Sequence, residues 1–338
     1  MGDGYEVHLF PFENGFARRS LPHSPALLHA LGSLSGSADM TICHSLWNPI
    51  ATFSMRSLRQ KKIPYALMAH GMLDPLVLRK CRWKKLPWSM LWEKQNVEAA
   101  TLVLFNSDAE RSKAQLCGWR FNETFVIPHL IDLPYWAALP PRETFQKWLP
   151  QIHDCDVILY VGRLSWVKNL DKLIDALKLV RRKRPTAVLL CVGPDSDGER
   201  KRLQSRAQLL GLADHVFFTG LLEGEELKAA YACANLLALV SKKENFGLTV
   251  ADALAAGLPV VVSEGVDVAA GWKSAGPVRR VKPEAENISE AIVDLLERGE
   301  KYGLPDAEAR SLAEQEWRKT RITEFLDKYE QTLGVQNR

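Results

Sequence analysis

No window of this sequence is apolar for the ~18 residues that a membrane-spanning helix needs, so no helical span is expected. The amino terminus, MGDGYEVHLF, has no basic stretch followed by a long apolar one. A secretory leader is therefore not expected, and a cytoplasmic protein is. Cysteine is sparse: the six residues stand at 43, 81, 117, 155, 191 and 233, and no pair has CxxC or metal-ligand spacing. That excludes a disulfide framework and a zinc knuckle and predicts buried free thiols in a reducing compartment. Internal repeats and low-complexity tracts are absent. Excess charge is small as well, +4, which gives no reason to expect a nucleic-acid partner. What remains is the composition of a soluble enzyme, 46% hydrophobic and 25% charged, in 338 residues, long enough for two domains.

The second half repeats one pattern, a short apolar run that stops at a small residue and is followed by helical periodicity. Val157–Val161, Ala187–Val192, Val216–Thr219, Leu236–Val240 and Pro259–Val262 are the runs, the last being the final clear strand. Leu170, Leu173, Ile174, Leu177 and Val180 mark one face of a helix. A polar helix is expected over about 199–210, and further helices over about 224–232 and 247–256. Strands apolar at nearly every position are covered on both faces, which with alternating helices predicts a parallel, doubly wound sheet. The first half follows the same grammar, with strands expected at Glu6–Phe10, Met40–His44, Tyr65–Met68, Leu102–Phe105 and Thr124–Ile127, and helices at Pro25–Leu34, Pro87–Ala100 and Asp108–Gly118. Asp132–Cys155 holds four prolines and reads as a linker. Ala307–Thr332 reads as one amphipathic helix with Trp317, Ile322, Phe325 and Leu326 on its apolar side. The expected domains are 1–135, a linker over 136–155, 156–306, and a helix over 307–332 that returns to the first domain. Two such domains face each other across a cleft, with ligands beyond the carboxyl ends of the strands.

Two segments at such ends carry chemistry. In Glu244-Asn245-Phe246-Gly247-Leu248, an acid precedes a glycine that opens a helix, whose first N–H groups can take a phosphate or sugar oxygen. Asp252 stands eight residues after Glu244, and Gly257 with Pro259 stops the helix. By themselves these residues fit an acidic loop before an ordinary helix equally well. In Tyr160-Val-Gly162-Arg163-Leu-Ser-Trp-Val-Lys168, two cations on one loop can aim at one diphosphate or can be a solvated surface pair.

Together the two segments resemble the retaining GT-B glycosyltransferases of family four. Glu244 to Pro259 matches the E-x7-E signature, with Asp252 in place of the second glutamate, and Gly162 to Asn169 matches the G-R-L-x-x-x-K-G/N loop. His44-Ser-Leu-Trp47 and His70-Gly71-Met72-Leu-Asp74-Pro75 resemble the H-G-L-W and H-G-M-L-D-P segments of a bacterial branch that builds exopolysaccharide and lipopolysaccharide. Asn106-Ser107 matches an acceptor-side turn, and Ile127-Pro128-His129 an I-P-N turn.

The resemblance implies a GT-B fold of two Rossmann-like domains. It implies Arg163, Lys168, Gly247 and Leu248 on the donor diphosphate, and Glu244, Asn245 and Phe246 on the donor sugar. Asp252 falls to the ribose, and Gly193, Gly220 and Leu221 lie near the base. His70 and Glu244 are the expected catalytic pair, with His44, Asn106 and Ser107 on the acceptor side. No metal or other cofactor is implied, since Arg, Lys and helix starts do the neutralising. Asp154-Cys-Asp156 and Asp195-Ser-Asp197 match a metal-binding D-x-D, but the first precedes a strand and the second has no neighbouring ligands. The family's opening strand, glycine-rich loop and helix have no counterpart, so the first domain is expected to lack that unit. The basic, Trp-containing segment 78–88 suits an anionic membrane surface or a solvated helix face. The expected activity is metal-independent transfer of a hexose-type sugar from a UDP- or GDP-sugar to a saccharide or lipid-linked acceptor, on the cytoplasmic face of the inner membrane. A weakened GT-B subunit that binds nucleotide-sugar without transfer, and a nucleotide-sugar epimerase, are the alternatives.

Overall fold

Branched and apolar runs build two parallel sheets. The computed structural model describes residues 8–11, 24–36, 38, 41–79, 82–195, 198–317 and 320–333. The chain divides into two units, residues 1–128 with 320–338, and residues 129–319.

The first unit holds a four-stranded parallel sheet in the order β1 (Ile42–His44), β2 (Ala66–Met68), β3 (Leu102–Phe105), β4 (Thr124–Val126). Its strands are shorter than the sequence suggests, and the helix Pro49–Gln60 was not anticipated. That helix begins with Asn48, whose side chain accepts from the Ile50 N–H, and with a proline in its first turn. The strand expected at Glu6–Phe10 lies partly outside the described residues, and 8–10 form no ladder. The helix expected at Pro87–Ala100 begins earlier, at Arg82, and includes a π-turn at Ser89–Glu93.

The second unit holds a six-stranded parallel sheet, β10-β9-β8-β5-β6-β7. Its strands are β5 (Val157–Val161), β6 (Val188–Val192), β7 (Val216–Gly220), β8 (Leu236–Leu239), β9 (Val260–Ser263) and β10 (Val278–Val281). β10 had been missed because Arg279 and Arg280 break its apolar run. It lies at an edge of the sheet, where side chains need not be apolar on both faces. Helix Ala285–Tyr302 was missed too. It buries Ile288, Ile292, Leu295 and Leu296 at helical spacing and packs on the helix Leu170–Lys183. Chain order runs outward from β5 through β6 to β7, then returns to β8 on the other side. β5 and β8 are therefore neighbours at the switch point, where a doubly wound sheet opens a crevice beyond its carboxyl ends.

Two boundaries differ from expectation. Residues 136–155 are not a free linker: Trp136, Phe145 and Ile152 sit in the core of the second unit. The C-terminal helix is broken into Ala307–Glu316 and Thr320–Leu333. Trp317, at the break, is buried in the second unit, while Phe325 is buried among Ala66, Leu102 and Leu104 of the first. One periodic face thus serves two cores.

Candidate functional site

In the second unit, the loops leaving β5 and β8 carry the two motifs and are joined through backbone. The Lys242 N–H donates to the Val167 carbonyl at 2.8 Å. The Glu244 N–H donates to Gly265 O at 2.8 Å, and Glu244 O accepts from the Asp267 N–H at 2.9 Å. Gly265 makes this possible: a Cβ there would lie 2.5 Å from Lys242 O. With its backbone pinned, Glu244 pairs its carboxylate with Lys168 Nζ, both side chains being under a fifth exposed. Arg163 is exposed on the same loop, and its carbonyl accepts from the buried Tyr160 hydroxyl at 2.8 Å. Arg163, Lys168, Lys243, Glu244 and Asn245, with Ser165, Trp166 and Val167, line a pocket of about 310 Å³, at the small end of sites that hold small molecules.

The other strand ends align beside it. The Gly162 N–H donates to Val192 O, and the Gly193 N–H to Gly220 O at 2.7 Å, so the ends of β5, β6 and β7 are stitched together. Gly193 has φ +140°, and a Cβ would fall 2.0 Å from Gly162 O, so only glycine fits there. Leu221, just past Gly220, is exposed. Gly247, at φ +79°, opens the helix Leu248–Ala256, with Leu248 half-exposed at its first turn.

Two expected donor contacts are placed differently. The Phe246 side chain is 4% exposed and meets His129 at 4.8 Å and Trp317 at 6.3 Å, ring to ring. It is a core anchor for the loop, so only its backbone is available to a sugar. Asp252 lies largely buried with Trp136 donating to it, and burial pushes its carboxyl up to about 7. It also pushes up the buried Tyr231 hydroxyl, already raised by burial itself. The shorter acid faces the unit's interior more than a solvated ribose would require.

The described acids of the two D-x-D segments have protein partners. Asp156 is forked to Arg184 at 3.0 and 3.1 Å and accepts from Thr186. Asp195 accepts from the Glu199 N–H at 2.9 Å, and the rest of its motif lies outside the described residues.

In the first unit His44 is the last residue of β1, and His70, Asn106 and Ser107 follow the ends of β2 and β3. His44 Nδ1 lies 2.9 Å from His70 Nε2. Burial lowers the pKa of both imidazoles, and His70 lowers that of His44 further. His70 is left-handed at φ +49°, followed by Gly71 at +75°. Asn106 is 1% exposed, and neither atom of its side-chain amide has a hydrogen-bond partner. Ser107 caps the helix Asp108–Gln115, its Oγ accepting from the Glu110 N–H at 3.1 Å. As placed, neither presents an open acceptor-side group.

The residue overlooked here is Glu110. It is buried and accepts from the Gly71 N–H at 2.5 Å and the Asn106 N–H at 2.7 Å, so one carboxylate fixes the turns after β2 and β3. The S-x-x-E spacing from Ser107 was the available signal, since that pattern returns a glutamate to the start of its helix.

The basic segment divides. Trp88 turns inward, donating to Thr52 and to the buried Glu93 at 3.3 and 3.2 Å. Leu76, Trp83, Leu86, Met90 and Leu91 remain exposed, Trp83 at 75%.

Comparison with known proteins identifies the family and the fold. The profile of the family "Glycosyl transferases group 1" matches residues 142–311, just over half of the chain. The chain belongs to that family, and its fold is GT-B. It is similar to a D-inositol 3-phosphate glycosyltransferase of Kineococcus radiotolerans, 31% identical over 52% of this chain and 42% of that protein. It is also similar to a mannosylfructose-phosphate synthase of Agrobacterium fabrum, 38% identical over 32% of this chain and 25% of that one. The chain thus spans less than half the length of these curated relatives. Among solved structures, HepE of Anabaena in complex with UDP and glucose superposes with a TM-score of 0.74 at 21% identity, covering 90% of this chain and 82% of that one. Sucrose-phosphate synthase of Thermosynechococcus elongatus gives 0.75 at 23%, covering 92% and 78%. At such identities these two speak for the fold.

Proposed function

We propose that this glycosyltransferase is a retaining enzyme that moves a hexose-type sugar from a UDP- or GDP-sugar to a saccharide or lipid-linked acceptor in cell-surface polysaccharide synthesis. The observation that supports it most is the pocket at the β5–β8 switch point, where Lys168 and Arg163 stand beside Glu244 at a helix start. The departing diphosphate gains negative charge, and fixed cations with helix N–H groups stabilise it without reorganising. That set takes the place of a metal ion. Glu244 orients the sugar, and His70 contacts it near the reacting carbon. Attack from the leaving-group face, the course that the family resemblance implies, is the one we propose.

Titration calorimetry with UDP, GDP and their glucose and mannose conjugates, run beside a transfer assay, tests this reading. Micromolar binding of one nucleotide series, with transfer from its sugar, is the expected result. Binding without transfer points instead to an assembly subunit, a reading that the interior placement of Asp252 favours.

The acceptor has a second candidate. The names of both relatives above contain a phosphorylated polyol or sugar, so a phosphorylated polyol belongs in the same assay. A lipid-linked acceptor is favoured by the exposed Trp83 and Leu86 within the basic segment 78–88 and by Leu76, Met90 and Leu91 beside it. The native chain should co-sediment with vesicles containing phosphatidylglycerol and not with pure phosphatidylcholine. Trp83→Ser with Met90→Ser should abolish that binding and leave nucleotide affinity unchanged; equal sedimentation of the double variant would refute the membrane contact.

A further inference from the structure

Trp166 stands on the loop between Arg163 and Lys168 and is 54% exposed. A single exposed aromatic is ordinary on a protein surface. This one lines the pocket that also holds Lys168 and Glu244. Its segment is fastened on both sides: the Leu164 N–H donates to Pro194 O at 2.9 Å, and the Val167 carbonyl accepts from the Lys242 N–H at 2.8 Å. The turn Trp166–Lys168 then closes on Asn169, which is buried and left-handed at φ +59°.

The ring is held as well. Lys242 Nζ lies over it, 5.2 Å from the centroid, within the range of a cation–π contact. Among the described residues no other ring or cation meets the Trp166 side chain, and its indole N–H has no partner. A pinned aromatic with one face uncommitted loses little conformational freedom when a ligand lies on it. The face of an indole is electron-rich. It attracts the weakly positive C–H groups on the flat side of a six-membered polyol ring, whose hydroxyls point outward to polar partners.

Depth separates the two reactants. The Lys168 and Glu244 side chains are under a fifth exposed and form the floor of the pocket, whereas Trp166 stands at its rim. A donor held at the floor leaves the rim to the second reactant. We propose that Trp166 is the acceptor platform: a pyranose or cyclitol ring of the acceptor stacks on the indole face opposite Lys242. This rests on the reading that Lys168 and Glu244 hold the donor.

The test uses the full chain labelled with ¹⁵N-tryptophan, in which the Trp166 indole resonance is the one lost in Trp166→Phe. The chain is titrated with methyl α-glucopyranoside, methyl α-mannopyranoside and myo-inositol 1-phosphate, with and without saturating UDP or GDP. Glycerol 3-phosphate serves as the polyol without a ring. The Trp166 resonance should move with at least one ring and not with glycerol 3-phosphate, and the ring that moves it separates a saccharide acceptor from a phosphorylated cyclitol. Saturation-transfer titration of the same ring should find binding roughly tenfold weaker in Trp166→Ala, the effect of one lost aromatic contact, and largely restored in Trp166→Phe. UDP affinity, measured by calorimetry, should fall far less. A resonance that moves with none of the rings, that answers glycerol 3-phosphate equally, or that answers the nucleotide alone overturns the proposal. So does an alanine variant that loses ring and nucleotide binding to the same extent. Nucleotide binding without a ring response removes the platform and leaves the donor reading intact; a ring response in a chain that binds neither UDP nor GDP keeps the platform and refutes the donor reading.

Discussion

Glu244→Gln is expected to bind UDP more tightly than the native chain while losing sugar transfer by ~10²–10³-fold. The two effects have one origin. Lys168, the cation proposed to bind the diphosphate, is bonded to the Glu244 carboxylate. A diphosphate must therefore compete with a carboxylate for the same ammonium. Glutamine keeps the shape and removes the charge, so that competition disappears. A partly shielded pair of this kind is worth about 1 kcal/mol, or roughly fivefold in affinity. The sugar hydroxyls lose their strongest acceptor in the same step, and transfer falls. Lys168→Ala should lose transfer to a similar degree, but with weaker UDP binding. Calorimetry with UDP and a transfer assay on both variants distinguish these patterns. Unchanged UDP affinity in both would remove Lys168 and Glu244 from the donor site.

The second large effect concerns stability. Asp252 has its carboxyl raised from its ordinary 3.8 to about 7, chiefly by burial. The native state therefore holds a proton that the unfolded chain releases near pH 4. Between about pH 4 and pH 7 the native state loses stability as pH rises, and the loss is complete above pH 7. About three pKa units correspond to ~4 kcal/mol. Asp252→Asn removes the ionisation and keeps an acceptor for the Trp136 indole. Chemical denaturation should find the variant more stable than the native chain at pH 8, by up to that amount, and nearly equal to it at pH 4. A variant without advantage at pH 8 would show that the carboxylate is solvated in the native protein. The same experiment bears on ribose contact, because a hydroxyl pair bonded to the carboxylate would stabilise its charged form. UDP should then stabilise the native chain more at pH 8 than at pH 5.

The sequence announced the second unit in detail and the first in outline, for a physical reason. Strands covered on both faces must be apolar at nearly every position, as Val157–Val161 and Val188–Val192 are, and such runs stand out. β10 lies at an edge and carries two arginines, so its sequence is no different from a loop. The first unit's strands have three or four residues each, too few to show a period. At the site, glycines and charges at strand ends were legible because they follow apolar runs and match the spacing of a family that they resemble. The direction of a side chain was not. Phe246 occupies a position that resemblance gives to the sugar, yet packs on His129 and Trp317. Ser107 is spent on its helix, and Asn106 lies within the interior. The S-x-x-E spacing could signal the bond of Glu110 to Asn106, but its bond to Gly71 and the His44–His70 bond join residues 39 and 26 positions apart, which no local pattern encodes.

The return of Thr320–Leu333 to the first unit makes the two halves unequal as genetic objects. Residues 129–319 form one uninterrupted segment, an insertion within the first unit, and can be cloned as a free-standing cassette that carries Arg163, Lys168 and Glu244. The first unit cannot be obtained by truncation. A stop codon before Thr320 would strip Phe325 from Ala66, Leu102 and Leu104, leaving one side of the β2–β3 ladder uncovered. Isolating it calls for a fusion in which a short linker replaces 129–319 and joins Pro128 to Thr320, and a frameshift before Phe325 should damage the unit encoded farthest upstream.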